Sequence, residues 1–156
     1  MDKNEFSIFA KTLRTYYPRE NILPNIEACE LWYRQLSDID YNVAMAGLVK
    51  WVLTNKWSPS IADIREMAVT VVEGDTPDYG EAWGEVQRAI KRYGTFRPEE
   101  ALNSMSPLTR MAAERIGFIN ICISENPVAD RAQFERVYKS LAERERKDKQ
   151  LTRELR

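Results

Sequence analysis

The residues in this sequence that could do acid-base chemistry are pairs of carboxylates. Glu27 and Glu30, and again Glu99 and Glu100, are close enough in the chain for one carboxyl group to donate a proton while another accepts one. Both pairs fall on predicted exposed helix faces, and no ligand set surrounds them. Because exposed charged side chains usually do no more than keep a helix surface solvated, we interpret these pairs as solvent-facing.

The 156 residues include no histidine. This absence removes the commonest general base and metal ligand, and with it the Ser-His-Asp and Cys-His arrangements. The chain also lacks a glycine-rich segment followed by Lys and Ser or Thr, and lacks the GxGxxG pattern of dinucleotide-binding folds. Cys29 and Cys122 lie in apolar helical contexts that favour buried thiols over a disulfide or metal site. We therefore predict no enzymatic activity, no cofactor and no metal.

The composition is that of a folded globular protein, with 44% apolar and 30% charged residues. The longest apolar run, from Val43 to Leu53, is interrupted by Gly47 and Lys50 and is shorter than the roughly 20 residues that a membrane span needs. The mixed charges from Met1 to Glu5 do not resemble a secretory signal. We expect a cytoplasmic protein of a bacterial host cell, with no membrane partner.

Apolar residues recur at helical spacing between the prolines and glycines, which predicts an all-α protein. We predict an N-terminal four-helix unit over residues 1–74, a second helical unit over residues 75–142, and a charged, helical or frayed tail over residues 143–156. The boundary is the loop-like segment from Glu73 to Pro77. The predicted helices of the first unit cover Asn4 to Tyr17, Asn25 to Leu36, Asp40 to Thr54, and a segment that begins after a capping box formed by Ser60 and Asp63.

In the second half, five helical segments are predicted. They cover Tyr79 to Tyr93, Pro98 to Asn103, Ser106 to Ile116, Phe118 to Ile123, and a long, highly charged C-terminal helix that begins at Asn126 and Pro127. Gly94 and Gly117 are expected to end or interrupt helices, and Ser106 to cap one. Gly80 and Gly84, four residues apart, predict a flat face against which another backbone packs closely.

Two basic clusters are candidates for contacts with other macromolecules. Arg88, Lys91 and Arg92 lie beside Tyr93 and Phe96, a combination of cations and aromatic rings that suits nucleic acid. The alternative is that Tyr93 packs inward and the cations only keep the helix soluble.

The second cluster is in the tail, where Arg144, Arg146, Lys147 and Lys149 are found. From Arg131 to Arg156 there are nine Lys or Arg and five Asp or Glu, a local charge of +4. Because this segment is charged on every face, we expect it to project into solvent or to fray, and to be available to a partner.

Trp57 lies in the turn before a capped helix. Its ring could close over the four-helix core or could be an exposed anchor for a partner. Because Trp is highly buried on average, the structural lid is the favoured interpretation.

The stretch from Leu31 to Asp38, the following helix with Ala44 and Leu48, and the stretch from Thr54 to Arg65 together form a pattern. The pattern resembles the phage replicative helicase loader and inhibitor family, mainly over residues 1–75. The resemblance implies a protein that binds the hexameric replicative helicase, restrains its ATPase and DNA binding, and passes it to an origin-bound initiator. Members are described as a folded N-terminal domain with a disordered helicase-binding tail, whereas here the segment from Tyr79 to Leu141 is predicted to fold.

The leading hypothesis is a phage or prophage DNA-replication accessory protein that binds the replicative helicase or its loader, and loads or inhibits it without catalysis. An origin-binding initiator would be a further partner. The partner-binding residues predicted on this hypothesis are Lys56, Trp57, Arg65, Arg144, Arg146, Lys147 and Lys149.

Two alternatives stay open. One is a DNA-binding replication or regulatory protein that uses a helix-turn-helix-like element around residues 50–72. The other is a homo-oligomer formed by the last helix through Phe134, Val137, Tyr138 and Leu141.

Overall fold

The structure is a computed structural model that describes residues 1–74, 78–152 and 154–155. Every regular element within these ranges is an α-helix, which confirms the predicted all-α fold. The helices are α1 (Lys3–Tyr16), α2 (Ile26–Leu36), α3 (Tyr41–Thr54), α4 (Ile61–Glu73), α5 (Tyr79–Tyr93), α6 (Pro98–Asn103), α7 (Pro107–Ile116), α8 (Phe118–Ile123) and α9 (Pro127–Gln150). Across the described part of the chain, no helix combines the length and apolarity that a membrane crossing requires.

Side-chain caps fix where the early helices begin. Asp2 accepts hydrogen bonds from the first backbone N–H groups of α1, and the Glu5 carboxylate accepts one from the backbone N–H of Asp2. At α4, the Ser60 hydroxyl accepts from the backbone N–H of Asp63, whose carboxylate accepts from the backbone N–H of Ser60. Both reciprocal pairs satisfy N–H groups that a helix leaves without intrahelical partners. The capping box predicted at Ser60 is therefore confirmed.

The chain divides into two compact units, which we call the first unit (Met1–Asp75 with Arg146–Arg156) and the second unit (Thr76–Glu145). Residues 75–77 of the predicted boundary loop lie outside the described residues. The segment from Arg146 onward groups with the first unit, although the sequence suggested a separate tail.

The first unit has its own apolar core, to which the first four helices all contribute. Phe9, Leu13, Leu36, Leu48 and Ile64 are fully buried in it. The α3 helix packs against both α1 and α4. This core fixes the positions of the two ends of α3, and therefore of the loop that follows it.

The closest helix approach in the first unit is at Gly47 of α3. A Cβ atom on Gly47 would lie 3.1 Å from Cβ of Met67 and 3.4 Å from the backbone nitrogen of Ala68 on α4. At Gly80 and Gly84, by contrast, an added Cβ would meet only side-chain atoms of Asp78 and Arg88. The prediction of a flat face at the α5 glycines was therefore wrong, and the close contact occurs at α3.

Replacing Gly47 by alanine tests this packing. The new methyl group must push α3 from α4, a cost that exceeds the better helix propensity of alanine, so we expect a net loss of about 1 kcal/mol in unfolding free energy. Gly84→Ala is the matched control, because its Cβ meets only the flexible end of Arg88 and should stabilise the protein by up to about 1 kcal/mol. Urea denaturation of both variants measures the difference, and equal stabilities would contradict the assigned contact.

The second unit has a separate core in which aromatic rings pack together. Phe134 is fully buried, and its ring centroid lies 5.3 Å from that of Trp83 and 5.6 Å from that of Tyr138. Leu141 is buried in the same cluster. The apolar face of α9 is thus consumed within the unit, so the predicted homo-oligomer contact through these residues is not available. Its periodicity reports the core.

Local signals placed most helix ends in the second unit correctly. Gly94 and Gly117 follow α5 and α7 with φ values of 57° and 96°, conformations that glycine adopts without strain. Ser106 precedes α7 as predicted, but its side chain makes no capping hydrogen bond. Its hydroxyl instead donates to Oε2 of Glu85 at 2.9 Å. The serine therefore ties α7 to α5.

Candidate partner-binding surfaces

The α3 helix is apolar on nearly every face. Lys50 is its one charged residue, and a helix of this composition is normally enclosed by the protein. One face packs on α1 and α4, yet Val49 and Leu53, one turn apart, remain exposed, with Leu53 at 79% of its full accessibility. The first unit therefore leaves an apolar strip of α3 uncovered.

Trp57 follows this strip and is itself exposed. Its side chain keeps 78% of its full accessibility, and Lys56 beside it is exposed as well. The indole Nε1 of Trp51 donates to the carbonyl oxygen of Trp57 at 2.8 Å, which attaches the loop backbone to α3. The ring does not close over the core, so the lid interpretation was wrong. We call Val49, Leu53, Lys56 and Trp57 the Trp57 surface.

Arg65 is the most heavily hydrogen-bonded side chain of the first unit. It is 7% exposed, and Nη1 and Nη2 bind the two carboxylate oxygens of Asp38 at 2.8 and 2.9 Å. Nη1 also donates to the carbonyl oxygen of Gln35 at 2.6 Å, and Nη2 to that of Leu151 at 2.8 Å. Nε donates to the carbonyl oxygen of Gln150. All five N–H groups of the guanidinium are used.

Arg65 was predicted to contact a partner, and its position does not support that prediction. The guanidinium is enclosed and saturated by acceptors within the first unit. It joins the α2–α3 connection to the segment that follows α9, a structural role. We call Arg65, Asp38 and the backbone carbonyl groups of Gln35, Gln150 and Leu151 the Arg65 hub.

The tail does not project into solvent as the sequence suggested. Arg146 donates to the hydroxyl oxygen of Thr70 at 2.5 Å and lies 3.6 Å from the carboxylate of Glu66. Lys149 forms an ion pair of 2.9 Å with Glu73. These contacts, with the Arg65 hub, hold the end of α9 against α4. A partner could bind Arg146 or Lys149 only after these pairs opened, whereas Arg144 and Lys147 are exposed.

The second unit carries the other predicted basic cluster on its surface. Arg88, Lys91 and Arg92 are exposed at positions i, i+3 and i+4 of α5, and therefore lie on one face. Tyr93 is half-buried and packs against the core of the second unit, with the guanidinium carbon of Arg92 5.4 Å from its ring centroid. Both interpretations of this cluster thus hold in part, because the ring packs inward and the cations stay on the surface.

Both cysteines are free thiols, but each is only half-buried. Burial raises the pKa of the Cys122 thiol above its usual value, which lowers the fraction of reactive thiolate. Nη2 of Arg14 lies 3.2 Å from Sγ of Cys29. Within the described ranges, no group of three or more Cys, Asp or Glu side chains is arranged to hold a metal ion.

Residues 1–65 match a family model, that of the N-terminal domain of the phage gene 39 protein. The match confirms the resemblance seen in the sequence, in the segment from the first helix to the start of α4. The gene 39 protein is a phage helicase loader and inhibitor, so the match associates this part of the chain with phage DNA replication at the step of the helicase. We call residues 1–65 the family segment.

The other comparisons add no further relatives. No curated protein and no solved structure matches the chain. The second unit, which lies wholly outside the family segment, must therefore be interpreted from its own side chains.

The family segment contains three of the predicted partner-binding residues in different environments. Lys56 and Trp57 are exposed, and Arg65 is enclosed. The sequence analysis missed Val49 and Leu53, because an apolar residue on a mostly apolar helix gives no signal of which face is covered. The excess of apolar residues over what one buried face needs was the signal that could have found them.

Proposed function

We propose that this chain is a non-catalytic phage or prophage replication protein that binds the hexameric replicative helicase, or its loader, through the Trp57 surface. It would act in the cytoplasm of the bacterial host cell. The observation that carries the proposal is an exposed tryptophan on an uncovered apolar strip, within the segment that matches the N-terminal domain of a phage helicase loader and inhibitor.

The energetics of such a surface favour a protein partner. Exposed Trp57 and Leu53 would together remove a large apolar area from water when a partner covers them. Tryptophan is among the residues that contribute most to protein–protein binding, and it does so when neighbouring residues exclude water around it. Lys56 adds a charge at the edge, where it would guide association.

The proposed mechanism is occupancy. A chain bound at the helicase would restrain its ATPase and its DNA binding, and would release it to an origin-bound initiator. None of these steps requires a nucleophile or general base in this chain. Loading and inhibition differ in outcome, since an inhibitor lowers helicase ATPase in proportion to occupancy, and a loader raises the amount of helicase on DNA when the initiator is added.

The helix-turn-helix alternative receives no support from the side chains of α4. Its one cation is Arg65, which is buried and bound to Asp38. Asp63, Glu66 and Glu73 would bring negative charge to the phosphates. A recognition helix needs exposed residues that reach base edges, and α4 has no cation left for that purpose.

The test is binding of the full chain to purified replicative helicase and, separately, to its loader. Trp57→Ala should weaken binding to one of them by about 30-fold or more, which is the effect expected of a central interface residue. Phe96→Ala is the matched control, because it removes an equally exposed aromatic ring outside the family segment. Circular dichroism should show both variants as folded as the wild type.

Absence of binding to both proteins would refute the proposed partner. Equal affinities of the wild type and Trp57→Ala would refute the Trp57 surface while leaving the partner in place. An ATPase assay of the helicase with increasing amounts of the chain then distinguishes inhibition from loading.

A further inference from the structure

One stretch of the second unit is purely basic. Residues 86–98 contain four cations and no carboxylate, in a chain whose formal net charge is -1. The cations are Arg88, Lys91, Arg92 and Arg97, and all four are exposed. A local concentration of positive charge attracts a polyanion whatever the net charge of the whole chain.

The fold brings these cations together. Arg97 follows the end of α5, and its Nη2 donates to the carbonyl oxygen of Arg92 at 3.2 Å. The guanidinium carbons of Arg92 and Arg97 lie 5.4 and 5.1 Å from the centroid of the Tyr93 ring. The half-buried tyrosine thus holds two guanidinium groups beside each other, and the exposed face of α5 supplies Arg88 and Lys91.

An aromatic ring completes this surface. Phe96 is 94% exposed, shortly after the glycine that ends α5 and immediately before Arg97. An open aromatic face beside several cations is what unpaired bases stack on while the cations bind the phosphates. We call Arg88, Lys91, Arg92, Phe96 and Arg97 the Phe96 surface.

The neighbouring carboxylates are already engaged. Glu85 accepts from the backbone N–H and the hydroxyl of Ser106 at 2.8 and 2.9 Å. Glu100 lies 3.4 Å from Arg97 in an exposed ion pair, which opens at little cost. Between Arg88, Arg92 and Tyr93 there is a cavity of about 150 Å³, which offers room for a phosphate group.

We propose that the second unit binds single-stranded nucleic acid at the Phe96 surface. Duplex DNA hides the faces of its bases, so an exposed ring such as Phe96 would gain nothing from a duplex. An acidic protein would use the cations but has no bases for the ring to stack on. The combination of ring and cations therefore favours the single strand. This inference does not depend on the helicase proposal.

The experiment measures binding of the full chain to a fluorescent oligothymidylate of about 20 nucleotides, by anisotropy at several salt concentrations. Four phosphate contacts predict that the logarithm of the association constant falls with the logarithm of salt concentration with a slope of about -3. A duplex of the same length should bind more weakly at every salt concentration.

Two triple variants separate local charge from total charge. Arg88→Gln with Lys91→Gln and Arg92→Gln should reduce the salt slope by about 2 and largely abolish binding at moderate salt. The control combines Arg115→Gln, Arg131→Gln and Arg136→Gln, three exposed arginines elsewhere in the second unit. Each triple lowers the formal net charge by 3, from -1 to -4. The control should bind as the wild type does.

Phe96→Ala tests the ring. It should weaken oligothymidylate binding about five-fold or more with an unchanged salt slope, because stacking involves no counterion release. Trp57→Ala should bind the oligonucleotide normally, so failure here is distinguishable from failure of the helicase proposal. No binding at low salt, equal losses in the two triples, equal affinity for duplex, or tighter binding to polyglutamate with no effect of Phe96→Ala would each overturn the proposal.

Discussion

Replacing Arg65 by methionine should lower the free energy of unfolding of the first unit by about 3 kcal/mol or more. Removing one partner of a buried ion pair leaves the other charge without compensation, and that penalty is typically about 3–5 kcal/mol. Here the abandoned group is Asp38, whose side chain is 18% exposed. Three backbone carbonyl groups lose their donor in the same substitution.

The second effect of Arg65→Met concerns the tail. Gln150 and Leu151 are bound to the first unit through the Arg65 hub, so we expect the end of α9 to separate from α4 in this variant. Hydrogen exchange of residues 146–151 should then speed up more than exchange in the core of α1. Limited trypsin digestion should cut earlier after Arg146 and Lys149.

Two variants serve as controls for this prediction. Arg19→Met removes an exposed arginine of the same unit and should change stability by less than about 0.5 kcal/mol. Arg65→Lys keeps the charge but cannot supply five donors in a planar fork, so it should be intermediate. A loss below about 1 kcal/mol in Arg65→Met, or unchanged exchange in the tail, would contradict the structural role of the hub.

The Arg65 hub also shows what sequence could not predict. Asp38 is 27 residues before Arg65, and the two tail carbonyl groups are 85 and 86 residues after it. No local spacing encodes such contacts, and a lone arginine on a helix is equally consistent with a surface or a buried role. The predicted partner-binding role came from a resemblance in sequence, which carries no information on burial.

Helix bounds, by contrast, were predictable because their causes are local. The capping box at Ser60 and the glycine after α5 act within four residues of the helix end that they fix. The glycine pair in α5 failed for a different reason. A small residue permits a close approach, but whether a neighbour comes close depends on the tertiary fold, and at Gly47 it does.

The same distinction applies to the two exposed aromatic rings. Trp57 was expected to cover the core because tryptophan is buried on average, yet an average cannot locate one ring in one loop. Phe96 was noticed only as a neighbour of the basic cluster. Its nearly complete exposure required coordinates, because the turn after Gly94 sets its direction.

Replacing Phe134 by alanine should have the largest effect on the second unit. The side chain is fully buried and its ring packs on Trp83 and Tyr138, so its removal leaves a cavity and two aromatic rings without their neighbour. Substitutions of this kind typically cost about 3–5 kcal/mol. Phe96→Ala in the same unit removes an exposed ring and should cost less than about 0.5 kcal/mol.

Phe134→Ala also tests which unit carries which function. The two cores share no residue, so the loss should fall on the second unit and leave the helices that position Trp57 folded. Helicase binding should then persist near its wild-type affinity, whereas oligothymidylate binding should fall with the stability of the second unit. Parallel loss of both activities, while hydrogen exchange shows α1 to α4 still protected, would mean that the helicase contact extends beyond the Trp57 surface into the second unit.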